Sequence, residues 1–293
     1  MNSIYDKIIF YLKKPYPYYY RPIRSMLQVL SIVFVLSFTF SYFFEPFEVN
    51  RTEHKFDYFW ICIIHAFLPI LIAFIYFLIL NFSIKDDLKW TLGREAIHLT
   101  VLLILFGFGS FLIRDIIYDK PDNWELQYLI EEITNTLLVG LLLVFILLPL
   151  NLLRLQQKYQ TSALNLGLHA TEKSKTDEKL EIQSLIPSEN FTIEISNFIF
   201  AKVDSNYIDI YKNTSNGTEK KIIRQSLKNL ENQLKPFPII FQTHRSYLVN
   251  ISYIESIAGN AQGFMITLSN CDIEVPVSRS KIEEFRQLFS KSI

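Results

Sequence analysis

The chain has 293 residues, half of them hydrophobic and 15% aromatic, and its 29 Lys plus Arg balance 29 Asp plus Glu to a formal net charge of zero. At roughly 150 residues per domain this length suggests about two domains, and a mean hydropathy of +0.20 excludes a disordered chain and points to a membrane segment. Zero net charge counts against a nucleic-acid binder, which usually carries a basic surface, and two isolated cysteines, Cys62 and Cys271, exclude a disulfide framework and fit a reducing compartment for the C-terminal part.

Four apolar runs occupy 26–44, 58–82, 96–113 and 136–153. Each is long enough for a helix to cross the hydrocarbon core, which takes about 20 residues. The first run is not read as a signal peptide, because no small-residue cleavage site follows Phe43 and Phe44. Lys and Arg in the flanks set the orientation. The tail before the first span and the loop between spans two and three hold 8 basic and 4 acidic residues; the other two loops hold 4 and 10. The N-terminus is therefore placed inside, and four spans return the chain to the cytoplasm. Within the spans, His65, His98 and Asn81 are the polar candidates. Depth separates His65 from His98 and places Asn81 level with His98, so an Asn81–His98 hydrogen bond is expected. The bland alternative is that all three merely glue helices together. The region is small for a transporter and shows no internal repeat.

Residues 154–187 read as a cytoplasmic linker. Leu152, Leu155, Tyr159, Leu164 and Leu166 are suited to prolonging the fourth span as a helix, and 171–181 is a solvated connector rich in Thr, Glu, Lys and Ser. His169 has no acidic neighbour and is read as an ordinary surface residue.

From Glu189 onward, apolar residues recur with period two: Phe191, Ile193 and Ile195, then Tyr207 to Tyr211 before the turn signal Asn216-Gly217. Ser226 is placed to cap a short helix bearing Leu227, Leu230 and Leu234, which Pro236 and Pro238 stop. Further strands follow around Phe241, Tyr247 to Val249, Tyr253, 264–268 and 273–277, with turns at Gly259-Asn260 and Ser269-Asn270. A last helix carries Ile282, Phe285, Leu288 and Phe289 on one side, with Ser280 and Glu283 as a capping box. The fold expected is α + β in two parts: a four-helix transmembrane bundle at 1–153, then a mostly antiparallel β domain with short helices at 188–293.

The stretch from Phe241 through Gln242, Thr243, His244, Arg245, Ser246, Tyr247, Leu248 and Val249 to Asn250 resembles the signature of the LytTR (LytR/AlgR-type) DNA-binding domain family. Three flanking features fit: Ser205-Asn206-Tyr207-Ile208, Ser226-Leu227 with Leu230, and Val275-Pro276-Val277-Ser278-Arg279. The resemblance covers about a third of the chain and says nothing of 1–153. It implies small antiparallel sheets that read double-stranded DNA through loops, binding direct repeats in successive major grooves, often as dimers. It places base contacts at Asn206 and Tyr207, at His244-Arg245 and at Arg279. Gln242 and Thr243 depart from the family's common pattern.

Residue chemistry agrees independently. The Arg fork matches the two major-groove acceptors of guanine, and Asn can pair with adenine. His244 can donate to a phosphate or base. Lys202, Lys212, Lys220, Lys221, Arg224 and Lys281 are candidates for neutralising phosphates, although a single Lys on a strand is more often a solvated face. Tyr247 and Tyr253 suit packing better than base stacking, and Asn250 suits a turn. No phosphate loop, metal-ligand spacing or nucleophile elbow is present, so no enzyme, cofactor or metal is expected; a receiver domain is also not expected.

Two readings result. The first is a membrane-anchored transcription regulator at the inner membrane, with both termini cytoplasmic and a homodimer as a candidate assembly. The second is a membrane interaction or sensor protein whose C-terminal module binds a partner protein, such as a membrane protein, rather than DNA.

Overall fold

The computed structural model describes residues 4–45, 51–84, 86–166, 178–215 and 217–290. His169 and Asn216 lie outside these residues, as does the side chain of Phe289. Two compact units divide the chain at Leu152/Leu153.

The first unit is helical: α1 (Ile4–Leu12), α2 (Ile23–Phe44), α3 (Tyr58–Ser83), α4 (Leu92–Leu112), the single turn α5 (Arg114–Ile117) and the start of α6 (Leu126–Leu164). The helices α2, α3, α4 and α6 are each long and apolar enough to cross a membrane. Large side chains such as Leu36, Phe82, Leu142 and Phe145 face outward, an arrangement that lipid accommodates and water does not. Loops alternate between two ends, as in an up-and-down bundle. At one end the Tyr16 N–H donates to the Trp90 carbonyl, and that of Leu92 to Lys14. At the other end, His54 bridges to Tyr118 and the Lys120 ammonium lies 2.7 Å from the Glu53 carboxylate. Gly107 of α4 lies against Ile133 of α6, where an added Cβ would sit 2.6 Å from the Ile133 Cα; a small residue here permits close helix approach.

The expected Asn81–His98 bond is not made. The Asn81 side-chain oxygen accepts from the Tyr18 hydroxyl at 2.8 Å, and its amide donates to the Tyr20 carbonyl. His98 instead pairs through Nδ1 with the Tyr76 hydroxyl at 2.5 Å and stacks on Trp90. The segment between α1 and α2 supplies these competitors. Tyr16, Tyr18 and Tyr20 are buried there, and the Tyr20 hydroxyl and Trp90 indole both donate to the 3% exposed Glu95 carboxylate. Burial and the nearby Glu95 charge raise the Tyr20 phenol well above its ordinary pKa.

The helix that holds the fourth apolar run is longer than that run. It continues to Leu164, so the apolar positions Leu155, Tyr159 and Leu164 fall on helix.

The second unit is strand-rich, from Leu153 onward. It holds β1 (Lys179–Ile182), β2 (Phe191–Glu194), β3 (Phe198–Asp204), β4 (Tyr207–Thr214), β5 (Gly217–Ile223), α7 (Leu227–Leu234), β6 (Ile240–His244), β7 (Tyr247–Asn250), β8 (Ile254–Asn260), β9 (Gly263–Leu268), β10 (Cys271–Ser278) and α8 (Ile282–Ser290). All pairings are antiparallel, in sheets ordered β1-β2, β10-β9-β8 and β5-β4-β3-β7-β6.

The inner strands β3 and β7 of the five-stranded sheet are covered on both faces, which explains their nearly continuous apolar sequences, whereas β5 is a largely exposed edge. One face packs Ile208, Ile210 and Leu248 with Ile182, Ile193 and the leucines of α7. The other packs Phe200, Phe241 and Val249 with Phe264, Ile266, Val275 and Phe285, and with Tyr159 and Ala163 from the end of α6. At Gly259 an added Cβ would sit 2.2 Å from the Tyr159 backbone, so only glycine allows this contact.

Local readings need three corrections. Lys179–Ile182 is a strand paired with β2, not solvated connector, and Ile182 is fully buried. Gly259 and Asn260 belong to β8, and the turn falls two residues later, at Ala261-Gln262. The Ser280–Glu283 capping box does not form as expected: Ser280 lies inside a 3-10 turn, Arg279–Lys281, and Glu283 lies 3.5 Å from Arg286. The Ser226 cap is present, its hydroxyl accepting from Asn229 N–H.

Candidate nucleic-acid interface

Two hairpin turns share one end of the five-stranded sheet. The first joins β3 to β4 through Ser205-Asn206, with Asp204 paired to Tyr207. Ser205 adopts φ 56°, the left-handed conformation that a two-residue hairpin of this hand needs. Asn206 is exposed and Tyr207 is 43% exposed. The second turn joins β6 to β7 through Arg245-Ser246, with His244 paired to Tyr247. Because β3 pairs antiparallel with β7, placing Lys202 opposite Tyr247, the turns lie side by side. A backbone hydrogen bond from Val203 N–H to the Ser246 carbonyl, 2.9 Å, joins them.

The register of β6 against β7 shifts between Gln242 and His244. A bulge at Thr243 bends the strand end and re-aims the side chains beyond it. Arg245 consequently stands exposed at the turn, whereas His244 is only 6% exposed. The His244 Nδ1 accepts the Ser246 N–H at 3.2 Å, and its ring lies 6.1 Å from that of Tyr247. In this geometry His244 braces the turn that presents Arg245.

Arg279 and Lys281 arrive from a third element, the 3-10 turn between β10 and α8. Lys281 reaches β6, its ammonium 5.7 Å from the Phe241 ring centre, and pairs with Glu284 at 2.8 Å. Arg279 is half-buried. It opens a 3-10 turn rather than directly preceding an α-helical N-terminus.

The lysines are largely committed. Lys202 and Lys220 converge on Asp209, which is 2% exposed, at 3.7 and 2.7 Å. The Asp209 carboxylate beside it holds the Lys220 ammonium above its ordinary pKa. Lys212 pairs with Glu219 at 3.2 Å, and Lys221 lies over the Phe191 ring. Cross-strand register creates these pairs, and sequence reading did not single out Asp209. It also missed Ser246, whose backbone joins the turns, and Asp204, an exposed carboxylate beside the first turn. Among the other residues named from sequence, Tyr253 is buried with its hydroxyl donating to the Ser196 carbonyl at 2.7 Å. Asn250 is fully buried and donates to the Phe198 carbonyl at 2.9 Å while its oxygen accepts from Ser252. Among the described residues no cluster of His, Cys, Asp and Glu could hold a metal.

Residues 188–290 match the family described as LytTr DNA-binding domain. Transcriptional regulatory protein YpdB of Escherichia coli O6:H1 (strain CFT073) is 27% identical over 133 residues, 45% of this chain and 50% of that protein. An uncharacterized response regulatory protein of Vibrio cholerae is 31% identical over 88 residues, 30% of this chain and 33% of that protein. The chain thus spans half the length of the first of these relatives and a third of the second. A solved LytTr DNA-binding domain from Bacillus cereus is 20% identical, with a TM-score of 0.31, covering 38% of this chain and 94% of that one. The C-terminal third of the chain is a LytTR DNA-binding domain.

Proposed function

We propose that the chain is a membrane-anchored transcription regulator that binds promoter DNA through a cytoplasmic domain at residues 188–293. The carrying observation is the joining of the Asn206 and Arg245 turns by the Val203–Ser246 bond within a segment matched to a DNA-binding family. Arg245 and Arg279 read bases, Asn206 and Tyr207 contact the duplex from the neighbouring turn, and His244 holds the second turn in shape. Lys202 and Lys281 contribute through the field of their ion pairs rather than as bare cations.

Helices α2, α3, α4 and α6 anchor the chain in the inner membrane, with both termini on the cytoplasmic side where Lys and Arg are in excess. A homodimer on direct repeats suits the family resemblance. The test uses the full-length chain in lipid nanodiscs, offered a pool of genomic fragments at moderate salt. Recovery of a common repeated site, with affinity falling steeply as salt rises, supports the reading. Recovery without sequence preference rejects it and favours the alternative, a membrane protein whose C-terminal module binds a protein partner.

A further inference from the structure

The inner end of α6 gathers charge that DNA reading does not use. Between Glu132 and Arg154 the helix carries no charged residue over 21 positions, 133–153. At about 1.5 Å per residue this stretch spans about 31 Å, the thickness of a hydrocarbon core. Arg154 is thus the first charge beyond the apolar stretch on the basic side, and Lys158 follows one turn later on the same helix face. Ser162 continues that face by another turn, and its hydroxyl accepts a hydrogen bond from the Arg286 guanidinium of α8.

Arg154, Lys158 and Arg286, with Thr161, Ser162 and Asn165, line a shallow cavity of about 450 Å³. Arg154 and Lys158 make no ion pair among the described residues. Arg286 has one carboxylate partner there, the exposed Glu283 at 3.5 Å. Like charges at this helical spacing repel, and Arg286 adds a third from another element, so the potential in the cavity favours an anion.

We propose that this cavity binds the phosphate of an anionic lipid headgroup. The inference rests on the membrane-anchored reading above. Two guanidinium forks match phosphate oxygens, Lys158 adds a point charge, and the Thr161 hydroxyl and Asn165 amide supply neutral donors. A soluble phosphate would satisfy the same groups. The position of Arg154 one residue past a bilayer-length apolar stretch assigns the site to lipid, because basic side chains at that level meet the anionic headgroup layer. Binding there would hold α8, whose Phe285 lies in the core of the DNA-binding domain, at the membrane surface.

The full-length chain reconstituted in phosphatidylcholine vesicles containing a minority of phosphatidylglycerol provides the test. Spin-labelled versions of both lipids report the preference of the protein for each. Severalfold preference for phosphatidylglycerol is expected in the wild type and in the charge-conserving variant R154K/K158R, falling to near parity in R154Q/K158Q/R286Q. A preference that the glutamine variant leaves unchanged overturns the proposal. So does loss of the wild-type preference when millimolar inorganic phosphate is added, which would mark a soluble-anion site. Resistance to alkaline carbonate extraction is measured on the same vesicles. A wild-type chain extracted by carbonate overturns the anchoring reading itself, whereas an inserted chain with a variant-insensitive preference overturns the headgroup site alone.

Discussion

The Asp209 carboxylate, nearly sealed from solvent on β4, lies 2.7 Å from the Lys220 ammonium of β5 and 3.7 Å from that of Lys202 on β3. One buried anion thus holds two cations near the Asn206 turn. A charge in that position fixes cross-strand register and subtracts two positive groups from those that can face phosphate. Asp209→Asn releases them. The plot of log affinity against log salt for DNA is expected to steepen by about 1 to 2, at about 0.9 per phosphate neutralised. Lys202→Ala in the wild-type background should shift that slope by less than about 0.5. A full-unit loss would show that Lys202 neutralises a phosphate despite its carboxylate partner.

Arg245→Ala and Arg279→Ala address base reading. Each is expected to cost about 1–3 kcal/mol on the preferred site, about 5- to 150-fold in affinity, and to relax specificity at one base position. Fluorescence anisotropy against single-base variants of the site measures both quantities. A uniform loss on every sequence would instead assign that arginine to the backbone.

His244 should behave differently. It accepts the Ser246 N–H and is almost completely covered, so His244→Ala removes a brace worth about 1 kcal/mol. Affinity is expected to fall by about fivefold on preferred and non-preferred DNA alike. His244→Asn, which retains a short side-chain acceptor, should recover part of the loss. A change in the preferred base at one position would return His244 to the role of reader.

Much of the fold was legible in the sequence because its signals are local. Period-two apolar runs announced the strands, Ser226 announced α7, and Ser269-Asn270 announced a turn. What was illegible depends on partners distant in the chain. The burial of His244 follows from a bulge at Thr243 that exists only in the pairing of β6 with β7. Lys202, Lys220 and Asp209 lie on three strands, and only register brings them together. Lys179–Ile182 offers two apolar residues among charges, too few to announce a strand before β2 supplies its partner. In the helical unit, Tyr18 and Tyr20 lie in a short proline-bounded stretch that forms neither helix nor strand, so their claim on Asn81 and Glu95 was invisible.

Asn250→Ala probes the scaffold behind the turns. The buried Asn250 amide satisfies the Phe198 carbonyl and its oxygen accepts from the half-buried Ser252. Truncation leaves buried backbone groups unpaired, at about 1–3 kcal/mol each. The urea midpoint of the strand-rich unit should fall accordingly while its unfolding slope stays unchanged. An unaltered midpoint would mean that water replaces the side chain at no cost.

The Val203–Ser246 bond carries a consequence for how such a regulator diverges. Its two turns are centred two strand spacings apart, about 10 Å, close to the rise of three base pairs. If the turns read DNA as proposed, substitutions at Asn206 or Arg245 would rewrite which letters are preferred, but the separation is set by backbone that no side chain specifies. Descendants of this chain would therefore change the spelling of a half-site freely while inheriting its punctuation.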